Sequence, residues 1–138
     1  RTVLSVAAVV KPTHNPNGEI NMFKNIKEKR RQQRNIKACE VLIAHYEESI
    51  AYYEDHGQKV GDMMNKVTVR MGQASQHRYT LMIGGHEPTQ KEELDYEELL
   101  AQQEHTLKIL ARESDEAFAK VKFYRLARTF KQEELSSL

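Results

Sequence analysis

Seven basic side chains fall within one short stretch of the sequence, and their type and spacing make them the best candidates for a chemical role. They are Lys24, Lys27, Lys29, Arg30, Arg31, Arg34 and Lys37. On a helix these cations could neutralise nucleic-acid phosphates, which gives salt-dependent affinity, or enter a major groove. An acidic protein partner or a solvated helix face would suit them equally, and no recognisable nucleic-acid-binding motif accompanies them. The segment is therefore a candidate contact for a polyanion or an acidic partner.

The histidines and carboxylates do not have the spacing of a metal or catalytic site. No two of the six histidines lie four residues apart, so no helical pair presents to zinc. A di-iron bundle needs Glu three residues before His, and Leu42, Tyr53 and Gln102 occupy those places. Nucleophile-elbow, phosphate-loop and dinucleotide motifs are missing. We therefore expect no catalytic, cofactor or metal residues, no small-molecule substrate and no enzymatic activity.

Cysteine usage and hydropathy limit the environment of the chain. The one cysteine, Cys39, makes an intrachain disulfide impossible, which favours an intracellular, reducing compartment. We expect Cys39 to be a small buried apolar side chain on a helix. No apolar run approaches the roughly 20 residues that cross a bilayer, so no membrane span is expected.

The composition predicts a thin helical core. The 138 residues fit one domain, with 39% hydrophobic and 30% charged residues and a mean hydropathy of −0.72. A net charge of +1 conceals an uneven distribution, because residues 92–98 are acidic and residues 24–37 are basic. Such a chain is too polar for a thick globular core and too rich in Leu, Ile and Val for disorder.

A long helix is predicted over residues 89–135. Thr89 and Glu92 have the spacing of a capping box, and neither Pro nor Gly occurs between Gln90 and Leu138. Apolar residues then recur at alternating intervals of three and four, interrupted by Gln103 and Ser114. These seam residues are Leu100, Leu107, Leu110, Ala117, Val121 and Tyr124. A stripe this narrow must be buried against another helix.

The partner helix is predicted over residues 19–56, with Gly57 as its C-terminal cap. Its seam residues are Cys39, Ile43, Tyr46, Ile50 and Tyr53, which have the same spacing. The sequence therefore predicts a mainly α fold, a long antiparallel helical hairpin resembling a coiled coil, over residues 19–138. In such a hairpin, residues near 30 should lie opposite the basic region 115–130.

The connection, residues 58–87, has two interpretations. Alternation at Val67, Val69 and Met71 and again from Tyr79 to Ile83 is typical of a small β-hairpin. A helix to about residue 75 would instead place Val60, Met63, Met64, Val67, Met71 and Ala74 on one face. Gly84 and Gly85 should end this region in either case. Two long helices joined by a possible β-hairpin resemble prefoldin-type chaperone subunits, which implies a chaperone-like role.

Residues 1–18 are predicted to form a strand or extended arm followed by a turn. The arm and the surplus aromatic residues have no obvious place in a two-helix hairpin, unless a third layer of the same chain covers them. We therefore name a candidate protein interface: Val3, Val6, Val9, Val10, Phe118, Phe123 and Phe130.

Three functions fit these features. The first is a non-enzymatic structural or assembly subunit that binds other protein subunits, or itself, through its helices and N-terminal arm. The second is a nucleic-acid-associated protein that uses residues 24–37. The third is a chaperone-like or inhibitory adaptor.

Overall fold

The computed structural model describes residues 16–138, and it consists of two helices packed against each other. Helix α1 spans Pro16–Ile83 and helix α2 spans Gln90–Ser137. No strand occurs within residues 16–138. The mainly α fold and the helical hairpin are therefore confirmed. Residues 1–15 of the predicted arm and turn lie outside the described residues. The predicted start of the first helix at residue 19 is wrong, because α1 already begins at Pro16. The fixed φ and missing N–H of proline suit a helix start.

The predicted end of the first helix at His56 is wrong, because α1 continues through Gly57. Gly57 lies where the two helices approach closely: a Cβ built on it would lie 3.6 Å from the Cβ of the buried Ala117. The glycine is therefore an interior helical residue at a contact between small side chains, and it does not reverse the chain.

Of the two interpretations of residues 58–87, the β-hairpin is wrong, because residues 58–83 are helical. The helix interpretation is right, but the helix runs past residue 75 to Ile83. Val60 and Val67 are buried in the helix interface, with Met64 and Met71 packed against them. The helical spacing of these apolar residues therefore determined the structure, and the alternation typical of a strand did not. Tyr79 and Ile83, which alternate in sequence, are both exposed at the end of α1. The prefoldin-like β-hairpin is therefore absent from residues 16–138.

A short turn, residues 84–89, joins the helices. The N–H of Gly85 donates to Met82 O at 3.1 Å, and the N–H of His86 donates to Leu81 O at 3.0 Å. Gly85 has a φ of 87°, so this is a Schellman motif with glycine at the left-handed position. The prediction that Gly84 and Gly85 end the region is confirmed.

Helix α2 begins as predicted. The N–H of Glu92 donates to Thr89 Oγ1 at 3.2 Å, and the N–H of Glu93 donates to Thr89 O at 3.0 Å. The Thr89 hydroxyl therefore satisfies one of the N–H groups that a helix start leaves without partners, and its carbonyl accepts the first regular helical hydrogen bond.

Two compact units divide the described residues. In the unit formed by residues 45–128, Val60, Val67 and Leu110 form the core, with Leu107 among the residues packed against them. In the other unit, formed by residues up to 44 together with 129–138, Cys39 is buried, as predicted. Within residues 16–138, neither helix has a segment apolar enough to cross a membrane.

Candidate functional site

The basic segment lies on α1, and all seven of its Lys and Arg side chains are exposed. None of them forms a salt bridge within the part of the chain that the structure describes. Lys27, Arg30, Arg34 and Lys37 recur at intervals of three and four, so they form one row along the helix, roughly opposite the buried Cys39. The structure thus gathers four of the seven predicted contacts on one face, where their charge is available to a polyanion.

An apolar patch precedes this row on α1. Ile20, Phe23 and Ile26 are exposed and line a shallow groove of about 430 Å³ together with Lys24, Lys27 and Arg30.

The prediction that residues near 30 lie opposite residues 115–130 is wrong. The side-chain amide of Gln32 donates to the carbonyl oxygen of Leu138, so the last residues of α2 lie there instead.

The three phenylalanines of the predicted interface are all exposed, with fractions of 72%, 61% and 60% for Phe118, Phe123 and Phe130. Phe118 lines a groove of about 390 Å³ between the helices, beside Gly57 and Arg125. Phe123 lies on the outward side of α2, and Phe130 follows it by seven residues, which is two helical turns. The third layer that could have covered them does not exist within residues 16–138, while Val3, Val6, Val9 and Val10 lie outside those residues.

Other aromatic side chains are used inside the hairpin. The rings of Tyr53 and Tyr124 stack at 5.9 Å with planes 13° apart, and Tyr46 lies 6.0 Å from Tyr124. Arg125 Nη2 forms an ion pair with Glu54 beside them. These contacts fix which side of α2 faces α1 and hence which side faces outward.

The outward side of α2 carries a continuous row of exposed residues, which we call the outer row. Successive members are three or four residues apart, so they lie along one helix face. The row comprises Glu98, Ala101, His105, Lys108, Arg112, Glu116, Ala119, Phe123 and Leu126. Of this row, only Phe123 was predicted from the sequence as an interface residue. Most other members are charged or small, so the row does not form a recognisable apolar stripe.

A polar cluster at the turn end of the hairpin was not predicted. Arg78 Nη2 donates to both carboxylate oxygens of Glu93 at 2.6 Å, and its guanidinium lies 4.6 Å from the centroid of the Tyr96 ring. The hydroxyl groups of Tyr96 and Ser75 lie 2.7 Å apart. Hydrogen bonding to Glu93 raises the pKa of the Arg78 guanidinium above its usual value. The signal for this cluster was the seam repeat, which extends back from Leu100 to positions 96 and 93.

A second polar contact, between His86 and Glu92, lies next to this cluster. His86 Nε2 and Glu92 Oε2 are 2.9 Å apart, and this hydrogen bond, assisted by Thr89, lowers the pKa of the Glu92 carboxyl. The Glu92 carboxylate is therefore held ionised as a structural partner. That state does not suit a general acid, which must carry a proton near neutral pH.

No group of three or more His, Cys, Asp or Glu side chains within residues 16–138 is arranged to hold a metal ion. No family model matches the chain, and no curated protein or solved structure is significantly similar to it. The surfaces described above are therefore the basis for a functional proposal.

Proposed function

We propose that the chain is a non-enzymatic structural or assembly subunit that binds partner helices. The supporting observation is the balance of buried and exposed apolar side chains. Among the described residues, seven hydrophobic side chains are buried, whereas twenty large ones are exposed. Exposed apolar side chains grouped on one face commonly mark a partner-binding surface. The outer row of α2 is exposed along its length and carries two of these side chains, Phe123 and Leu126, so we assign partner binding to it.

The two helices of the hairpin are proposed to pair as a coiled coil. In α2, ten buried or half-buried residues lie three and four residues apart in strict alternation: Glu93, Tyr96, Leu100, Gln103, Leu107, Leu110, Ser114, Ala117, Val121 and Tyr124. In α1 the same alternation links ten buried or half-buried residues: Tyr46, Ile50, Tyr53, Gly57, Val60, Met64, Val67, Met71, Ala74 and Arg78. This spacing of 3.5 residues on average is the repeat that places side chains as knobs between the side chains of a facing helix.

The proposal is tested by differential capture of partners. Tagged wild-type chain, a Phe123→Ser/Leu126→Ser variant and the matched control Tyr79→Ser are used to capture proteins from cell extract, with nuclease present. All three changes lie at exposed positions, so the helical content should be unchanged by circular dichroism. We expect the outer-row variant alone to lose partners seen by mass spectrometry. The same partners on all three proteins would reject the outer row as the partner surface.

Nucleic-acid association is the second candidate, favoured by the row formed by Lys27, Arg30, Arg34 and Lys37. Binding of duplex DNA or RNA should weaken steeply as salt rises, because each phosphate contact releases counterions. Replacing the four residues by Gln should reduce the log–log salt slope by about 0.9 per lost contact on duplex DNA. Replacing Lys59, Lys66, Arg70 and Lys91 by Gln gives a control with the same change in net charge. An equal loss in both variants would show that binding depends on net charge alone.

A further inference from the structure

We infer that the outer row of α2 is self-complementary and pairs with the outer row of a second copy of this chain. The two α2 helices would run antiparallel, related by a two-fold axis at Arg112. This inference rests on the proposed assembly function and names its partner. It follows from how size and charge are distributed along one exposed helix face.

The sizes of the side chains match about this axis. In an antiparallel pair centred on residue 112, Ala101 of one copy lies opposite Phe123 of the other. His105 likewise lies opposite Ala119. In both of these pairs a large side chain meets a small one, which is the alternation that lets two helix faces interdigitate. A two-fold axis produces each of these contacts twice.

The charges match in the same register. Lys108 of one copy lies opposite Glu116 of the other, and Glu104 lies on the same flank as Lys122. Arg112 meets its own copy on the axis, with Asp115 and Glu116 one turn away on each helix to offset the repulsion. Opposite charges across an interface set its register and orientation.

The alternative arrangement of two copies places like charges together. A parallel pair in register would set each charged member of the outer row against its own copy, including Lys108, Arg112 and Glu116, which is unfavourable. The antiparallel pair keeps only the Arg112 contact of this kind and sets Lys108 against Glu116. The occupant of this face is therefore a second copy, bound antiparallel.

Disulfide cross-linking tests the register directly. In a Cys39→Ala background, Arg112→Cys places the two thiols together at the axis, whereas Glu98→Cys places them about 42 Å apart, at 1.5 Å per residue over 28 residues. Both positions are exposed. Under mild oxidation at micromolar concentration, we expect a covalent dimer from Arg112→Cys alone. Equal cross-linking of the two variants would overturn the register.

A charge exchange tests the contact by its energetics. Glu104→Lys or Lys122→Glu alone should raise the dimer dissociation constant about tenfold, measured by analytical ultracentrifugation, because each change creates two like-charge contacts. The double variant should restore dimerisation. If the wild-type chain stays monomeric up to about 100 μM, its self-association is far weaker than that of a stable dimer. That result would overturn self-pairing. If the Phe123→Ser/Leu126→Ser variant still lost partners from cell extract, the proposed assembly function would stand without it.

Discussion

The substitution Gly57→Ala distinguishes a helix interior from a helix end, and we expect it to stabilise the protein. Alanine is more favourable than glycine inside a helix by about 0.8–1 kcal/mol. The new Cβ would lie 3.6 Å from the Cβ of Ala117, which is an ordinary van der Waals distance, so it adds a contact without displacing the helices. The expected gain in the free energy of unfolding is about 1 kcal/mol.

Gly72→Ala is the matched control, because Gly72 is also helical and has no atom within 4 Å of its Cβ position. Its gain should reflect helix propensity alone. Urea unfolding followed by circular dichroism at about 222 nm gives both values, provided that the transition is cooperative. A loss of about 1 kcal/mol or more in Gly57→Ala alone would refute the reasoning, since it would indicate a left-handed cap at Gly57 and a first helix that ends there.

The remaining predictions concern the core, the turn and the dependence on pH. Val60→Ala should lower the free energy of unfolding by about 1.5–3 kcal/mol, because Val60 is 1% exposed and two buried carbons are lost; a urea melt measures this. Thr89→Ala should cost about 0.5–2 kcal/mol in the same assay, and a change near zero would mean that α2 begins elsewhere. Gly85→Ala should cost about 1–2 kcal/mol, because its φ of 87° disfavours a Cβ. Since the pKa of Glu92 is lowered in the folded state, its bond to His86 stabilises the protein above the usual carboxyl range and is lost as pH falls through that lowered pKa. The stability difference between wild type and Glu92→Gln should therefore shrink as the pH falls below the ordinary Glu pKa of about 4.3.

Much of α2 could be predicted from the sequence, because its signals agree with one another. Thr89 and Glu92 define the start, and Leu110, Ala117 and Val121, all predicted for the seam, are buried. No glycine or proline interrupts the helix between them and its end. When capping, period and propensity all favour the same element, sequence reasoning has no competing interpretation to weigh.

The extent of α1 could not be predicted, because its local signals conflict with its packing. Gly57, Gly61 and Gly72 each weaken a helix by about 1 kcal/mol relative to alanine, and the residues around them include β-branched Val67 and Thr68. Packing against α2 compensates for these unfavourable residues. Val60 and Val67 are buried against it, in one cluster with Leu110 of α2. Tertiary contacts of this kind cannot be predicted when each segment of the sequence is considered separately.

The register of the hairpin explains why the outer row was missed and why it is a surface. The close approach of Gly57 to Ala117 and the ion pair of Arg125 with Glu54 orient α2 about its own axis. Once that orientation is fixed, residues such as Ala101 and Phe123 must point away from α1, although neither belongs to an apolar stripe in the sequence. A small helix–helix contact thereby determines which side chains a partner meets. Gly57→Leu, which would force the helices apart at this contact, should consequently weaken both the hairpin and any assembly formed through the outer row, whereas Gly72→Leu should affect neither to the same degree.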